Sequence, residues 1–447
     1  MFDPTPSQKG ATTVPNEDID YQRLRLDGVY KQNEKGELML RIKVPAGVLS
    51  VPQALQVCAI AERFAGGALH LTTRCSVELH DLKPPDLDLI ARSLAAVGLT
   101  SRGACGGAVR GIACSTTFSP GFAVTQALVR RLHRHFAGNP HFEGLPKKFK
   151  IGVDSGYRGA RHLIQDAGLV HVGTEGGEHL YDVWLAGGLG REPQAGFLYA
   201  EKAPESALIP LIEAAIRVFR KHVPAGKRLK SLARALGEER LRDLVAAERS
   251  QGPSAFDQYP LEQNLTASPT IGLVEVPVFA GELQAAALRR LTAVAERHGD
   301  GFLALTADQN VAFVPGSSKA REQISAALAQ GGFGGERAEE RVPFRICPGS
   351  HACRLGLAPT REVARQVLGA LGEKGLALDW AISGCLNSCA QPQLARAGIL
   401  TTKLVPDEQG RRRPLFALYR RRGPGLGEEV AQNLTLEELL QKVNEIG

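Results

Sequence analysis

The sequence predicts an internally duplicated α+β or α/β protein in which two small ferredoxin-like modules alternate with two larger α/β modules. Three observations carry this reading: a long ungapped repeat, a weaker repeat outside it, and strand–helix–strand patterning in each copy. The first repeat aligns the segment from Ala61 to Leu79 with that from Ala295 to Phe313 at a constant offset of 234 residues. Eight of these 19 positions are identical (Ala61, Glu62, Arg63, Gly67, Leu69, Leu71, Thr72 and Val77), where chance gives about one. Upstream, Val44-Pro45 has a counterpart in Val276-Pro277.

Within a copy, Leu38 to Val44 alternates as a strand does. Ser50 followed by Pro52 reads as a helix start, and Ala54 to Phe64 carries helical periodicity. Leu69 to Leu79 alternates again, with Thr and Val enrichment. A unit of this kind over about 60 residues is a small ferredoxin-like module. The weaker repeat sets Lys148 to Gly156, continuing to Ala167-Gly168-Leu169, against Leu378 to Gly384, continuing to Ala397-Gly398-Ile399. There Ser155-Gly156 matches Ser383-Gly384, with a two-residue slip before the Ala-Gly.

Helical patterns fill Gln126 to Phe136, Glu205 to Val223 and Lys227 to Glu248, and a capping box at Thr435-x-x-Glu438 opens a last helix. Residues 249–268 read as a linker from their Pro, Ser and Thr content. The expected domains are a tail at 1–35, a first ferredoxin-like repeat at 36–98 and a first large module at 99–260. The second ferredoxin-like repeat follows at 268–335 and the second large module at 340–447.

Composition narrows the class. The 447 residues are 43% apolar and 23% charged, with 54 Lys+Arg against 47 Asp+Glu and a net charge of +7. That is the composition of a globular protein rather than a disordered or collagenous one. No run approaches the roughly 18 uninterrupted apolar residues of a membrane span. The start, MFDPTPSQKG, has no apolar signal core, so a cytoplasmic, reducing location is expected. Aromatics are only 6%, and the runs Arg411 to Arg413 and Arg420 to Arg422 flank a turn-and-strand pattern, so they read as solvated surface and not as a nucleic-acid module. No strand–GxGxxG–helix fingerprint for a flavin or nicotinamide is present.

Eight cysteines in a reducing compartment are poor disulfide candidates. Four of them pair within 43 residues, as Cys347-x5-Cys353 and Cys385-x3-Cys389. Paired cysteines in such a chain point to a metal site. Structural zinc favours tighter knuckles, and an iron–sulfur body tolerates looser spacing. An iron–sulfur cluster, zinc and unliganded buried cysteines are the readings open on spacing. Cys58, Cys75, Cys105 and Cys114 show no such pairing, and Cys58 falls in a helical pattern as a core residue.

Residues that differ between duplicated copies are free of the fold's demands. Where the second large module has Cys385 and Cys389, the first has Tyr157 and Arg161, and Arg74 is replaced by Asp308 in the second repeat. The first half instead carries Arg41, Arg74, Arg110, Lys148 and Lys150. The two lysines sit two apart on a strand-like segment and so share a face. Such a cluster suits a small oxyanion or a polycarboxylate ligand.

These residues resemble the sirohaem- and [4Fe–4S]-dependent nitrite and sulfite reductases of the assimilatory type. The two cysteine pairs look like that family's T-G-C-P-N-[SG]-C signature and its upstream partner. Leu71-Thr72-Thr73-Arg74 resembles its L-T-[TN]-R, Gly106 to Arg110 its G-D-x-x-R, and Leu145 to Lys150 its L-P-R-K-F-K. The match runs in order from about Leu38 to Leu400. It implies that Cys347, Cys353, Cys385 and Cys389 hold a [4Fe–4S] cluster, with Cys389 also joining it to the sirohaem iron at a central cofactor site. It implies further that Arg41, Arg110, Lys148 and Lys150 surround the substrate anion, that Thr72 and Arg74 contact sirohaem carboxylates, and that Asn387 lies in the cluster loop. The departures are Leu386 for Pro, Gly107 and Gly111 near Arg110, His70 for Arg and Glu78 for Gln.

The implied reaction is a six-electron reduction of sulfite to sulfide, with nitrite to ammonia as the alternative. Lys148-Phe149-Lys150 favours sulfite, whereas Asn387-Ser388-Cys389-Ala390-Gln391-Pro392 looks more like the nitrite branch; Lys150 decides for sulfite as the residue facing the anion. Electrons then come from a separate donor, an acidic ferredoxin first and a flavoprotein second. A tetrapyrrole-modifying relative would lack the substrate cations, and a non-catalytic iron–sulfur or zinc scaffold would not need them.

Overall fold

The computed structural model describes residues 20–114, 121–249, 272–333 and 341–446. The expected linker lies almost wholly outside the described residues. The described strands form four sheets.

The first repeat builds Val29–Lys31, Leu38–Ile42, Val77–Leu82 and Ala68–Leu71, and the second builds Val274–Val276, Val311–Phe313 and Phe302–Leu305. Each repeat also lends one strand to the other. Glu282–Gln284 pairs with Ala68–Leu71 of the first sheet, Glu282 opposite His70, and Val48–Ser50 pairs with Phe302–Leu305 of the second, Val48 opposite Ala304. Both registers obey the same 234-residue offset. The helices that follow, Val51–Phe64 and Ala285–His298, pack on each other. Ser50 caps the first with a full capping box. Neither half-sheet closes its own core; Val57, Leu69, Leu288 and Leu303 fall in one apolar cluster spanning both copies.

The repeat extends to backbone detail. Ala46 and Ala280 both take φ 56° in matching turns at Pro45–Gly47 and Phe279–Gly281. That sets Val44-Pro45 against Val278-Phe279, two residues beyond the Val276-Pro277 match expected from the sequence. The continuous strand expected from Leu69 to Leu79 is instead a hairpin, Ala68–Leu71 and Val77–Leu82. The Thr72 hydroxyl oxygen accepts from the backbone N–H groups of Arg74 (3.3 Å) and Ser76 (3.2 Å), and Cys75 turns left-handed at φ 54°. Thr306 does the same for Asp308 (3.3 Å) and Asn310 (3.1 Å). Alternation cannot distinguish a strand from a tight hairpin when turn and strand residues are alike in polarity. The shared Thr72 and Thr306 identity is a turn requirement.

The large modules share one sheet order. Three parallel strands (Ala113–Cys114, Ile151–Asp154 and Ala167–Glu175; Phe344–Ile346, Trp380–Ser383 and Ala397–Pro406) continue into two antiparallel ones. Ile151 stands opposite Ala167, and Trp380 opposite Ala397. The strands therefore align Ile151 with Trp380, one residue away from the Ser155-to-Ser383 match, so Tyr157 and Arg161 are not the true counterparts of Cys385 and Cys389. The segment read as one helix from Lys227 to Glu248 is two, Leu229–Leu236 and Glu238–Arg249, because Gly237 at φ 83° leaves helical geometry between them. The Thr435 capping box is present ahead of Leu436–Glu445.

Candidate active site at the junction of the modules

The hairpin tips of the two repeats meet the loops of both large modules. The Thr73 hydroxyl donates to the Cys389 carbonyl (2.8 Å), linking the first repeat to the cysteine loop. Arg74 reaches the other way, donating to Gln165 Oε1 (2.9 Å) and to the carbonyls of Gly111 (2.7 Å) and Ile151 (3.1 Å) in the first large module. Gln309, from the second repeat, donates to the Leu71 and Ile346 carbonyls and accepts from Ile346 N–H (2.7 Å), fixing the backbone just before Cys347.

The four paired cysteines converge. All are free thiols, with Cys353 and Cys389 exposed and Cys347 and Cys385 half-buried. Burial, then the neighbouring Cys389, pushes Cys347 upward, and Cys353 up to about 11 with Cys389 and Cys385 among its causes. Burial likewise raises Cys385, against hydrogen bonds from the exposed Asn387. Thiols that crowd and raise one another need a cationic body to hold them as thiolates.

A single zinc needs its sulfurs about 3.8 Å apart around 2.3 Å bonds. Among the described residues, the His/Cys/Asp/Glu trio whose ligand atoms lie within 4.8 Å of one another is His70, Glu78 and His80, which contains none of these cysteines. No three of the four sulfurs come that close together, which is wider than a single zinc site. The Gly384 N–H points at Cys347 Sγ (3.1 Å), the kind of donor that stabilises sulfur charge.

Lys148 and Lys150 lie close enough to Cys389 to feel its charge. Phe149 is fully buried against Phe219, so Lys148 and Lys150 face the opposite side, as their spacing predicts. No side-chain partner among the described residues holds either ammonium. Burial first, then Arg228, lowers Lys148 to about 8, while Cys389 pulls it upward. Burial, then Lys148 and Arg74, holds Lys150 well below an ordinary lysine, again with Cys389 opposing.

Arg110 is 6% exposed and spends its guanidinium on the carbonyls of Gly103 (3.3 Å), Cys105 (2.8 Å), Gly106 (2.8 Å) and Ala108 (3.4 Å). Carbonyls carry no net charge, so Arg110 keeps its field while organising the loop. Gly107 in that loop has no room for any side chain, because a Cβ would sit 2.2 Å from the Leu145 carbonyl oxygen; an Asp there would not fit. Arg41 is tied to Glu78, by Nε (2.8 Å) and Nη2 (2.5 Å). Thr72 spends its lone pairs on the hairpin turn.

Sequence reading missed Arg228 and Asp166. Asp166 is fully buried, accepts from Arg228 Nε (3.0 Å) and Nη2 (2.6 Å), and accepts from the Lys150 backbone N–H (2.8 Å). It thus fixes both a further cation and the lysine segment. The available signal was a charge swap between copies: Asp166 precedes Ala167-Gly168 where Arg396 precedes Ala397-Gly398. D166N leaves the 7%-exposed Arg228 without a counter-charge, and breaking a buried pair costs about 3–5 kcal/mol. Denaturant unfolding is expected to show that loss, with most of it recovered in D166N/R228M; an unchanged midpoint would contradict the assignment.

A family model described as "Nitrite/Sulfite reductase ferredoxin-like half domain" matches residues 30–97 and 272–331, the two repeats. A second, "Nitrite and sulphite reductase 4Fe-4S domain", matches residues 111–253, in the first large module. Relatives include "Sulfite reductase [ferredoxin] 2" of Mycolicibacterium paratuberculosis, 23% identical over 87% of this chain and 77% of the relative. "Ferredoxin--nitrite reductase" of Synechococcus elongatus is 27% identical over 87% of this chain and 81% of its own. The solved structure of the Mycobacterium tuberculosis NirA protein shares the fold at TM-score 0.79 and 22% identity, covering 96% of this chain and 87% of that one. No helix among the described residues is long and apolar enough to cross a membrane. With the half-domain model matching both repeats and the 4Fe-4S domain model matching the first large module, the chain belongs to the nitrite and sulfite reductase family, oxidoreductases that work with sirohaem and a [4Fe–4S] cluster.

Proposed function

We propose that the chain reduces sulfite to sulfide in six electrons, drawing on a ferredoxin-type donor. The observation that carries this reading is the pair Lys148 and Lys150, two apart across the buried Phe149, with no side-chain partner for either ammonium among the described residues. When bound, the sirohaem and cluster supply electrons at the reacting iron. Cys347, Cys353, Cys385 and Cys389 would hold the cluster, and Arg74 and Arg110 would present positive charge toward sirohaem carboxylates and substrate. Lys148 and Lys150 attract the anion and give protons to oxygen as its bonds break.

The nitrite-like cue, Ser388, is 3% exposed and its hydroxyl accepts from Gln393 Nε2 (3.4 Å). It faces protein, whereas Lys150 belongs to the cation group, and this supports sulfite. Steady-state turnover with sulfite and nitrite side by side, using an artificial electron donor, tests the choice. A higher kcat/KM for sulfite is expected; a higher value for nitrite would reassign the substrate, and no turnover of either would favour a tetrapyrrole-modifying relative. The names of the ferredoxin-dependent relatives and the net charge of +7 support an acidic ferredoxin over a flavoprotein. A reducing cytoplasm suits four free cluster thiols.

Lys148 also sets a pH dependence. Its proton is held below about 8 and lost above, so anion capture by the substrate-free enzyme is expected to weaken as pH rises through that value. The kcat/KM profile should fall there in the native protein. K148R, whose charge does not titrate in this range, should flatten that limb; a limb that persists would assign it elsewhere.

A further inference from the structure

We propose that Glu78 is a specificity-determining residue: it withholds the charge of Arg41 from the anion pocket and so trims the enzyme's preference for doubly charged anions. This rests on the reading of the lysine pocket given above.

Arg41 and Glu78 are direct cross-strand partners in the first repeat's sheet, so their side chains leave on one face. Two of the three guanidinium nitrogens of Arg41 point at the single oxygen Glu78 Oε1, and the third donates to the Ala104 carbonyl (3.3 Å). Glu78 is 5% exposed. Burial opposes its charge, but Arg41, and then His70, hold the carboxyl well below the usual range. The carboxylate is therefore a permanent buried negative charge beside a cation that shares the 103–106 loop with Arg110.

The other oxygen, Oε2, faces His70 Nδ1 (3.4 Å) and His80 Nε2 (3.7 Å). The ligand atoms of these three residues lie within 4.8 Å of one another, but the carboxylate's other oxygen is already committed to Arg41. Burial holds His80 down at about 4, so it is neutral near pH 7 and does not cancel the carboxylate. Arg74 and Arg110, by contrast, are bonded to neutral acceptors and keep their charge. Glu78 acts as a brake on one cation of the group.

The consequence follows from charge alone. Removing one buried negative charge strengthens binding of a singly charged anion by a given factor, and of a doubly charged anion by about its square. Anion binding to the cofactor-loaded enzyme, read as the shift of its visible spectrum, is the measurement, with nitrite and sulfite titrated above pH 8 in E78Q, E78D and the native protein. E78Q is expected to tighten nitrite about tenfold and sulfite by roughly the square of that, while E78D, which keeps the charge, stays near native. Equal tightening in E78Q and E78D, or none in E78Q, overturns the proposal. Should E78Q not retain its cofactors, R41Q answers from the other side: a field effect weakens nitrite about tenfold and sulfite by its square. A loss as large for nitrite as for sulfite would show Arg41 touching the anion directly and overturn the proposal. K148M and the native protein titrated with nitrite at pH 7, where Lys148 keeps its proton, separate the two readings, because unchanged anion binding there would sink the lysine pocket itself whatever Glu78 does.

Discussion

Replacing Cys389 by serine is expected to abolish turnover and strip the cluster absorbance while leaving the fold intact. Three features of the site lead to this. The thiol lies exposed in the shared pocket and acts on each of Cys347, Cys353 and Cys385, so it stands where the four-cysteine set and the cation group meet. Its backbone is fixed independently of the sulfur, by Thr73 on its carbonyl and by left-handed turns at Ser388 (φ 53°) and Gln391 (φ 62°). A serine hydroxyl is far too weak an acid to replace a thiolate ligand. Iron content, the visible spectrum and far-ultraviolet circular dichroism read the cluster and the fold separately. A fully coloured, active C389S protein would remove Cys389 from the ligand set.

The second large effect is expected at Lys148. Substitution by methionine keeps the length of the side chain and removes both a charge and a proton donor. Loss of a positioned proton donor costs about 10²–10⁴-fold in rate. Because Lys148 has no side-chain partner among the described residues and its surroundings already disfavour its charge, K148M should leave the melting temperature unchanged or raise it. Falling turnover with steady or rising stability marks a residue kept for chemistry and not for folding. Should turnover survive undiminished with cofactors bound, Lys148 is not the proton donor. Calorimetry and single-turnover kinetics on one preparation supply both readouts.

The duplication was legible because Ala61 to Leu79 and Ala295 to Phe313 retain identities at turn and core positions. Leu69, Leu71 and Val77 pack the shared core, and Thr72 caps the hairpin. The exchange of Val48–Ser50 and Glu282–Gln284 between the sheets was not legible. A strand's pattern records that one face is buried, not which chain segment lies beside it. The cysteine set was visible from spacing within one module. The Asp166–Arg228 pair was not, since 62 residues separate partners that each read as ordinary surface charges.

The same division holds at the anion site. Residue type and local spacing placed Lys148 and Lys150 on one face, because a strand's two-residue period is a local property of the backbone. Whether each cation is free depends on what lies across the sheet. Arg41 looks equivalent to Lys148 in the sequence, yet Glu78 stands opposite it and takes its charge. By itself the sequence determined the duplicated fold, the four cysteines and the sign of the pocket. Only the tertiary structure decided how much of that positive charge reaches the anion, because ion pairing between distant segments is set by their approach in space and not by their order along the chain.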